Sequence, residues 1–252
     1  MIRVIELFAG VGAQRQALKE EGIEHEVIAI SEIDKQAYKA YEAIHGPTNN
    51  LGDITRIEAL PPADLWTYSY PCQDLSNMGC RRGMSEDSET RSSLLWEVKR
   101  LLLKAKEMGC LPGVLQSENV PAVRNKDNSR QLNKWVAFLS SLGYTTTEMI
   151  LDAADYGVPQ DRKRHFMISC LDGRVIPVPP VIRNGIVLAD LLEPSDTVPA
   201  DYFLTQEQID KFVWKSQEQK AAGNGFKFET IDPEERESPG AHHHNEGRWS
   251  ND

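Results

Sequence analysis

Residues 3–13, RVIELFAGVGA, join a short apolar run to a turn built on two glycines. The run is too short for a helix and suits a strand buried on both faces. Gly10 and Gly12 allow a sharp bend and a close approach of backbone to ligand before a helix begins. The chain then alternates. Residues 14–21 read as a helix stopped by Gly22, and 25–30 (HEVIAI) as a second strand. Residues 35–44 place Ala37, Tyr38, Tyr41 and Ile44 at helical spacing, and Gly46-Pro47 ends them. Residues 64–69 (DLWTYS) and 113–117 (GVLQS) read as the fourth and fifth strands. A helix over 92–108 separates them, with Leu94, Leu95, Val98, Leu101 and Leu102 on one stripe. A helix over 129–142 buries Leu132, Trp135, Val136 and Leu139, and strands over 144–151 and 165–170 close the series. Such alternation predicts an α/β fold, a mostly parallel doubly wound sheet with helices on both faces. Ligands of such sheets sit beyond the carboxyl ends of the strands.

Composition narrows the function classes. The 252 residues carry a net charge of −10, with 40% hydrophobic and 26% charged residues. That excludes collagen-like, mucin-like and wholly disordered chains. No run approaches the ~18 apolar residues of a membrane span. Glu6 interrupts the apolar N-terminus, which reads as a strand and not a signal peptide. Cys72, Cys80, Cys110 and Cys170 show no CxxC spacing, which argues against a zinc module and a disulfide framework. A reducing cytoplasm is expected. His242-His243-His244 has no spaced partner, so no metal site is expected. An acidic chain binds polyanions poorly, but residues 229–252 alone hold −5 of the charge, which leaves room for a basic face elsewhere. Residues 201–214 suggest one more helix, with Thr205 as N-cap, and periodicity ends at Gly223.

The strand ends carry the chemistry. Glu32, about twenty residues past the glycine turn, can accept hydrogen bonds from both hydroxyls of a ribose. Asp34 reads as a helix cap. Asp53 offers a third polar contact, near an adenine amine. Cys72 follows a strand and a proline and opens a long polar loop over 73–90, so it is a candidate nucleophile. Glu118 should lie beside it across the sheet, and thiol plus carboxylic acid at one edge is a catalytic pairing. Strand alternation sends Arg162 and Arg164 to one face, where two guanidinium groups could hold an anion or a base edge.

Together these residues resemble the cytosine-C5 DNA methyltransferases over residues 4–168, in the family's motif order. Glu6 to Ala13 is similar to the first motif, placing Phe8, Gly10 and Gly12 at an S-adenosyl-L-methionine site. The resemblance implies Glu32 on the ribose, Ile33 beside the adenine, and Asp53-Ile54 as the adenine-contacting pair. Pro71-Cys72-Gln73, with Ser76 and Gly79, resembles the catalytic loop, and Leu94 the leucine beside the cofactor. Glu118-Asn119-Val120 resembles the catalytic-acid motif and Gln160-x-Arg162-x-Arg164 the arginine motif. Phe8, Gly10, Gly12, Glu32, Ile33, Asp53, Ile54, Pro71 and Leu94 are thus expected to bind cofactor. Gln73, Ser76, Asn119, Val120 and Gln160 are expected to bind substrate. Cys72, Glu118, Arg162 and Arg164 are expected to be catalytic. The implied fold is the Rossmann-like S-adenosylmethionine-dependent methyltransferase fold. The implied partner is double-stranded DNA, with the target base flipped from the stack and the 73–90 loop as a lid.

The family's target-recognition region and closing Asn-containing motif are not found. The expected division is a cofactor-binding catalytic domain over 1–172, the start of a truncated or minimal recognition region over 173–228, and a disordered tail over 229–252. The chain is then read as an incomplete catalytic domain that needs a second subunit carrying the recognition region, or is inactive alone. A bacterial or phage-encoded protein, with or without a restriction partner, fits that reading. A nicotinamide dehydrogenase would share the glycine turn and Glu32 but not Pro71-Cys72-Gln73 or Glu118. A tRNA cytosine methyltransferase and a non-catalytic relic are the remaining rivals.

Overall fold

The computed structural model describes residues 1–71, 94–182 and 185–221. In chain order these form β1 (Ile2–Leu7), α1 (Ala13–Glu20), β2 (His25–Ser31), α2 (Lys35–His45) and β3 (Leu65–Tyr68). Then come α3 (Leu95–Glu107), β4 (Val114–Asn119), α4 (Lys126–Ser141), β5 (Thr145–Asp152), β6 (Lys163–Cys170) and α5 (Gln206–Ala221). One sheet holds the strands in the order β2-β1-β3-β4-β6-β5. β1 is parallel to β2 and β3, and β3 to β4. The result is a Rossmann-like α/β fold.

Three sequence expectations change. The strands that precede Pro71 and carry Glu118 are the third and fourth, not the fourth and fifth. Between α2 and β3 no further full strand forms among the described residues: Asn50 makes a parallel bridge to Ile30, and Ile54–Arg56 is a single helical turn. β6 runs antiparallel to β4. Ten residues without an α-helix link β5 to β6, too few for a parallel crossover. The helix expected over 201–214 begins at Gln206 and runs to Ala221. Ala200–Tyr202 is a separate turn. Thr205 does cap α5: its hydroxyl accepts from the Gln208 N–H at 3.3 Å, and Gln208 Oε1 accepts from the Thr205 N–H at 2.8 Å.

The chain folds as two compact units: residues 1–151 with 164–178, and residues 152–163 with the chain from 179 on. In the first unit α3 and α4 cover one face of the sheet. Leu95, Val98, Leu101 and Leu102 of α3 and Leu132, Trp135 and Leu139 of α4 are buried with Trp66, Tyr68, Leu115 and Met167. Trp135 packs edge-on to Tyr68 and Trp96, with centroids 5.8 and 6.1 Å apart, and its Nε1 donates to the Tyr68 hydroxyl at 3.2 Å. α1 lies over the other face, where Gln14, Ala17 and Leu18 line a small cavity of about 120 Å³ with Thr67 and Gln116.

Among the described residues one carboxylate is buried without exposure. Glu6, on β1, accepts from the Arg15 N–H at 3.0 Å and from the Tyr41 hydroxyl at 2.5 Å. Burial pushes its carboxyl up, against the pull of those two donors. The Arg15 guanidinium in turn donates to the Tyr41 and Thr48 hydroxyls at 3.2 and 3.0 Å. Tyr41→Phe removes one donor from a carboxyl that water cannot reach. The expected cost is about 1–3 kcal/mol, read as a lower midpoint in thermal or urea unfolding.

Candidate active site

The turn after β1 is strained in a way that opens it. Phe8, Gly10 and Gly12 all have positive φ, at 57°, 56° and 79°. Gly12 is required by packing as well. A Cβ there would stand 2.5 Å from His45 Nε2 and 2.6 Å from Tyr41 Cε2. At Gly10 a Cβ would meet nothing within 4 Å, so this glycine faces open space where a ligand can approach the backbone.

Glu32, just past β2, closes that space from the side. Its Oε2 accepts from the Gly10 N–H at 2.8 Å and its Oε1 from the Asp34 N–H at 2.7 Å. Each oxygen keeps acceptor capacity for a hydroxyl. Ile33 beside it is 71% exposed, an apolar side chain available to a ring. Asp34 is the cap expected of it: its carboxylate accepts from the Ala37 and Gln36 N–H groups, which hold it below the usual carboxylate range.

Nothing in the sequence singles out Asn50, yet it sets Glu32. Its Oδ1 accepts from the Glu32 N–H at 3.1 Å, and its Nδ2 donates to the Glu32 carbonyl at 2.9 Å. The pair imitates a strand contact, and only the spacing from Ile30 in three dimensions reveals it. The chain then turns at Gly52, whose carbonyl accepts from the Ser31 hydroxyl at 2.7 Å. This delivers Asp53 beside the end of β2. Asp53 Oδ1 accepts from the N–H and hydroxyl of Thr55, which keep its pKa low, while Oδ2 lies 3.9 Å from Arg56 Nε. Ile54 is buried in the core.

The second half of the site lies at the ends of β3 and β4. Both Glu118 and Asn119 are inside β4, not beyond it. Asn119 is 3% exposed; its Nδ2 donates to the Tyr70 carbonyl at 3.1 Å and its Oδ1 accepts from the Val120 N–H at 2.9 Å. The first of these bonds pins the chain as it leaves β3 into the half-buried Pro71. Val120 and Leu94 pack against the core, as does Phe8. Cys72, Gln73 and Ser76, with the 73–90 loop, lie outside the described residues, as does the tail over 229–252.

Glu118 is part-buried and its Oε1 takes Arg164 Nε at 2.9 Å. The β4–β6 register explains the meeting, since Glu118 stands opposite Phe166, two residues from Arg164. β6 begins at Lys163, and the Arg162 N–H donates to Asp152 Oδ1 at 3.0 Å in the second unit. Arg162 and Gln160 are exposed. His165, buried next to Arg164, bonds Glu148 Oε2 at 2.9 Å, and Glu148 Oε1 takes Arg124 at 2.6 Å. Burial alone would raise the Glu148 carboxyl; His165 and Arg124 outweigh it and the pKa falls. Arg124 ends the turn after Val120, so this cluster fastens the exit of β4 to β5.

Among the described residues no helix is long and apolar enough to cross a membrane. The family model described as C-5 cytosine-specific DNA methylase matches residues 2–249. The type II methyltransferase M2.ScrFI of Lactococcus lactis subsp. cremoris is 33% identical over 83% of this chain and 72% of its own length. The orphan methyltransferase M.SssI of Spiroplasma monobiae is 35% identical over 68% of this chain and 60% of its own length. The crystal structure of the S. pombe Dnmt2 methyltransferase superposes with a TM-score of 0.70 at 21% identity, covering 94% of this chain and 70% of that one. The chain therefore spans about 60–72% of the length of these relatives. On the family match over residues 2–249 and these identities, the chain belongs to the C-5 cytosine-specific DNA methylase family.

Proposed function

We propose that Cys72, Glu118 and Arg164 carry out the family's reaction, methylation of cytosine C5 in DNA, in this chain. The chain is an enzyme of the DNA (cytosine-5)-methyltransferase class and uses S-adenosyl-L-methionine. Bound, that cofactor supplies an electrophilic sulfonium methyl group. The residues at the ends of β1 and β2 fit such a nucleoside: open space at Gly10, two carboxylate oxygens on Glu32, and an exposed apolar side chain at Ile33. Glu32 would hold the ribose, Ile33 the adenine face and Asp53 the adenine amine.

Cytosine C5 is a weak nucleophile until something adds at C6. The Cys72 thiolate would form that bond and make C5 enamine-like. Glu118 would hydrogen-bond N3 and share a proton as electron density builds there. Arg164 would orient Glu118 and reach the ring O2. After methylation, loss of the C5 proton and departure of Cys72 restore the aromatic ring. Arg162 is proposed to assist Arg164 at the ring, and Gln160, Gln73 and Ser76 are proposed as contacts to DNA.

The observation that carries this reading is the Glu118–Arg164 bond beside the Tyr70–Asn119 bond. A carboxyl and a guanidinium meet on the strand whose Asn119 bonds Tyr70, the residue before Pro71. Incubation with tritiated S-adenosylmethionine and mixed-sequence double-stranded DNA should leave acid-stable label in 5-methylcytosine. Absence of label, even with a candidate partner subunit added, removes the assignment. We also carry forward the residue 173–228 segment as the start of a recognition region, and a second polypeptide as its complement. The acidic balance of the chain supports that view, and adding a candidate subunit to the same assay tests it. The type II relatives support a place in a restriction-modification system of bacterial or phage origin.

A further inference from the structure

We infer that Arg100 is a positioning residue for the adenine end of the cofactor pocket, through its hold on the Asp53 turn. Arg100 lies in α3, remote in sequence from Asp53 and Ile54. Its Nη2 donates to the Ile54 carbonyl at 3.0 Å and its Nη1 to the Ile57 carbonyl at 2.8 Å. Its Nε donates to Glu97 at 2.8 Å, one turn back on the same helix. All three nitrogens are engaged, two of them by a segment more than forty residues upstream.

The segment matters because of what it presents. Ile54–Arg56 is one helical turn capped by Asp53. A single turn has almost no cooperativity of its own, and its last carbonyls need donors from outside. Ile54 and Ile57 are buried, which anchors the turn from below. Within the turn the Ile57 N–H reaches the Ile54 carbonyl at 3.3 Å; Arg100 adds a second donor to that carbonyl and one to the Ile57 carbonyl just past the turn. A guanidinium fork suits this task because it meets two carbonyls at fixed spacing; a lysine is a point charge and meets one.

Arg100 also ties two walls together. α3 begins right after Leu94, six positions and so about 9 Å of helix from Arg100. Clamping the Asp53 turn to α3 therefore sets the distance between Asp53 and Leu94, the two residues read at the cofactor. Glu97 holds the guanidinium in the required orientation. The inference rests on the reading of Asp53 as the contact to the adenine amine.

The test uses the full chain and binding alone. Isothermal titration calorimetry would compare S-adenosylhomocysteine with its 6-oxo analogue, in which oxygen replaces the adenine amine. The unsubstituted chain should prefer the amine form. Arg100→Met should weaken S-adenosylhomocysteine about tenfold, one lost charged hydrogen-bond set, and bring the preference for the amine close to one. Arg100→Lys should restore part of both, and covers the case in which the Met variant does not fold. A variant that binds with unchanged affinity and preference overturns the inference, whatever its melting temperature. So does equal weakening of both ligands, which is the mark of a structural staple. If the unsubstituted chain binds the two ligands alike, Asp53 does not contact the amine, and the inference falls with that reading. A chain that discriminates, with an Arg100→Met variant that discriminates equally, refutes the role of Arg100 alone.

Discussion

Cys72→Ser abolishes methyl transfer to DNA while S-adenosylmethionine binding persists. The proposed pathway passes through a covalent bond at C6, and a neutral hydroxyl is a far poorer nucleophile than a thiolate. The expected loss is on the order of 10⁴-fold or more, the scale on which enzymes respond to removal of their nucleophile. The residues proposed to hold the cofactor, Gly10, Glu32 and Asp53, sit on other segments of the chain, so calorimetric affinity for S-adenosylhomocysteine should be unchanged. The two readouts together separate chemistry from folding. A Cys72→Ser variant that still labels DNA would show that another group attacks the ring.

Glu118→Gln lowers the rate about 10²–10⁴-fold, the usual contribution of a positioned proton donor. Glutamine keeps an amide oxygen that can accept from Arg164 Nε, where the carboxylate now accepts at 2.9 Å. The β4–β6 pairing at this level is made by main-chain atoms and is not altered. Stability should thus change little, which a thermal melt checks. The amide can still donate to N3, but it cannot share a proton with it. Charge building on the ring goes uncompensated, and the cost falls on the chemical step. Single-turnover rates on DNA are the measurement. A rate equal to that of the unsubstituted chain takes Glu118 out of the mechanism.

The two predictions fall on residues that are legible for different reasons. Cys72 is read from its place: a thiol after a strand and a proline, at the head of a polar loop. Glu118 is read from type and order, as an acid at the end of the next strand over. The pairing of Glu118 with Arg164 is less accessible. Alternation along a strand says which residues share a face, not which residue of the neighbouring strand they meet. The antiparallel β4–β6 register sets Glu118 opposite Phe166, two residues from Arg164, and that register is not written in either strand. Asn119 reads as a substrate contact; in the structure its amide bonds the main chain at Tyr70 and Val120. A buried asparagine and an exposed one look the same in one dimension.

Sequence by itself determined the α/β class, the alternation of strands with helices, the stripes of α3 and α4, and the carboxyl-end location of Gly10, Glu32 and Glu118. These depend on local periodicity and on which residues end a strand, and both are written within a few neighbouring positions. Only the tertiary structure decided the antiparallel β6, the Asn50 clasp on Glu32, the buried Glu6–Tyr41 pair and the reach of Arg100 to the Asp53 turn. Each joins groups at least 18 positions apart. Such contacts are chosen by packing and by the need to satisfy buried polar groups, and neither leaves a period in the chain.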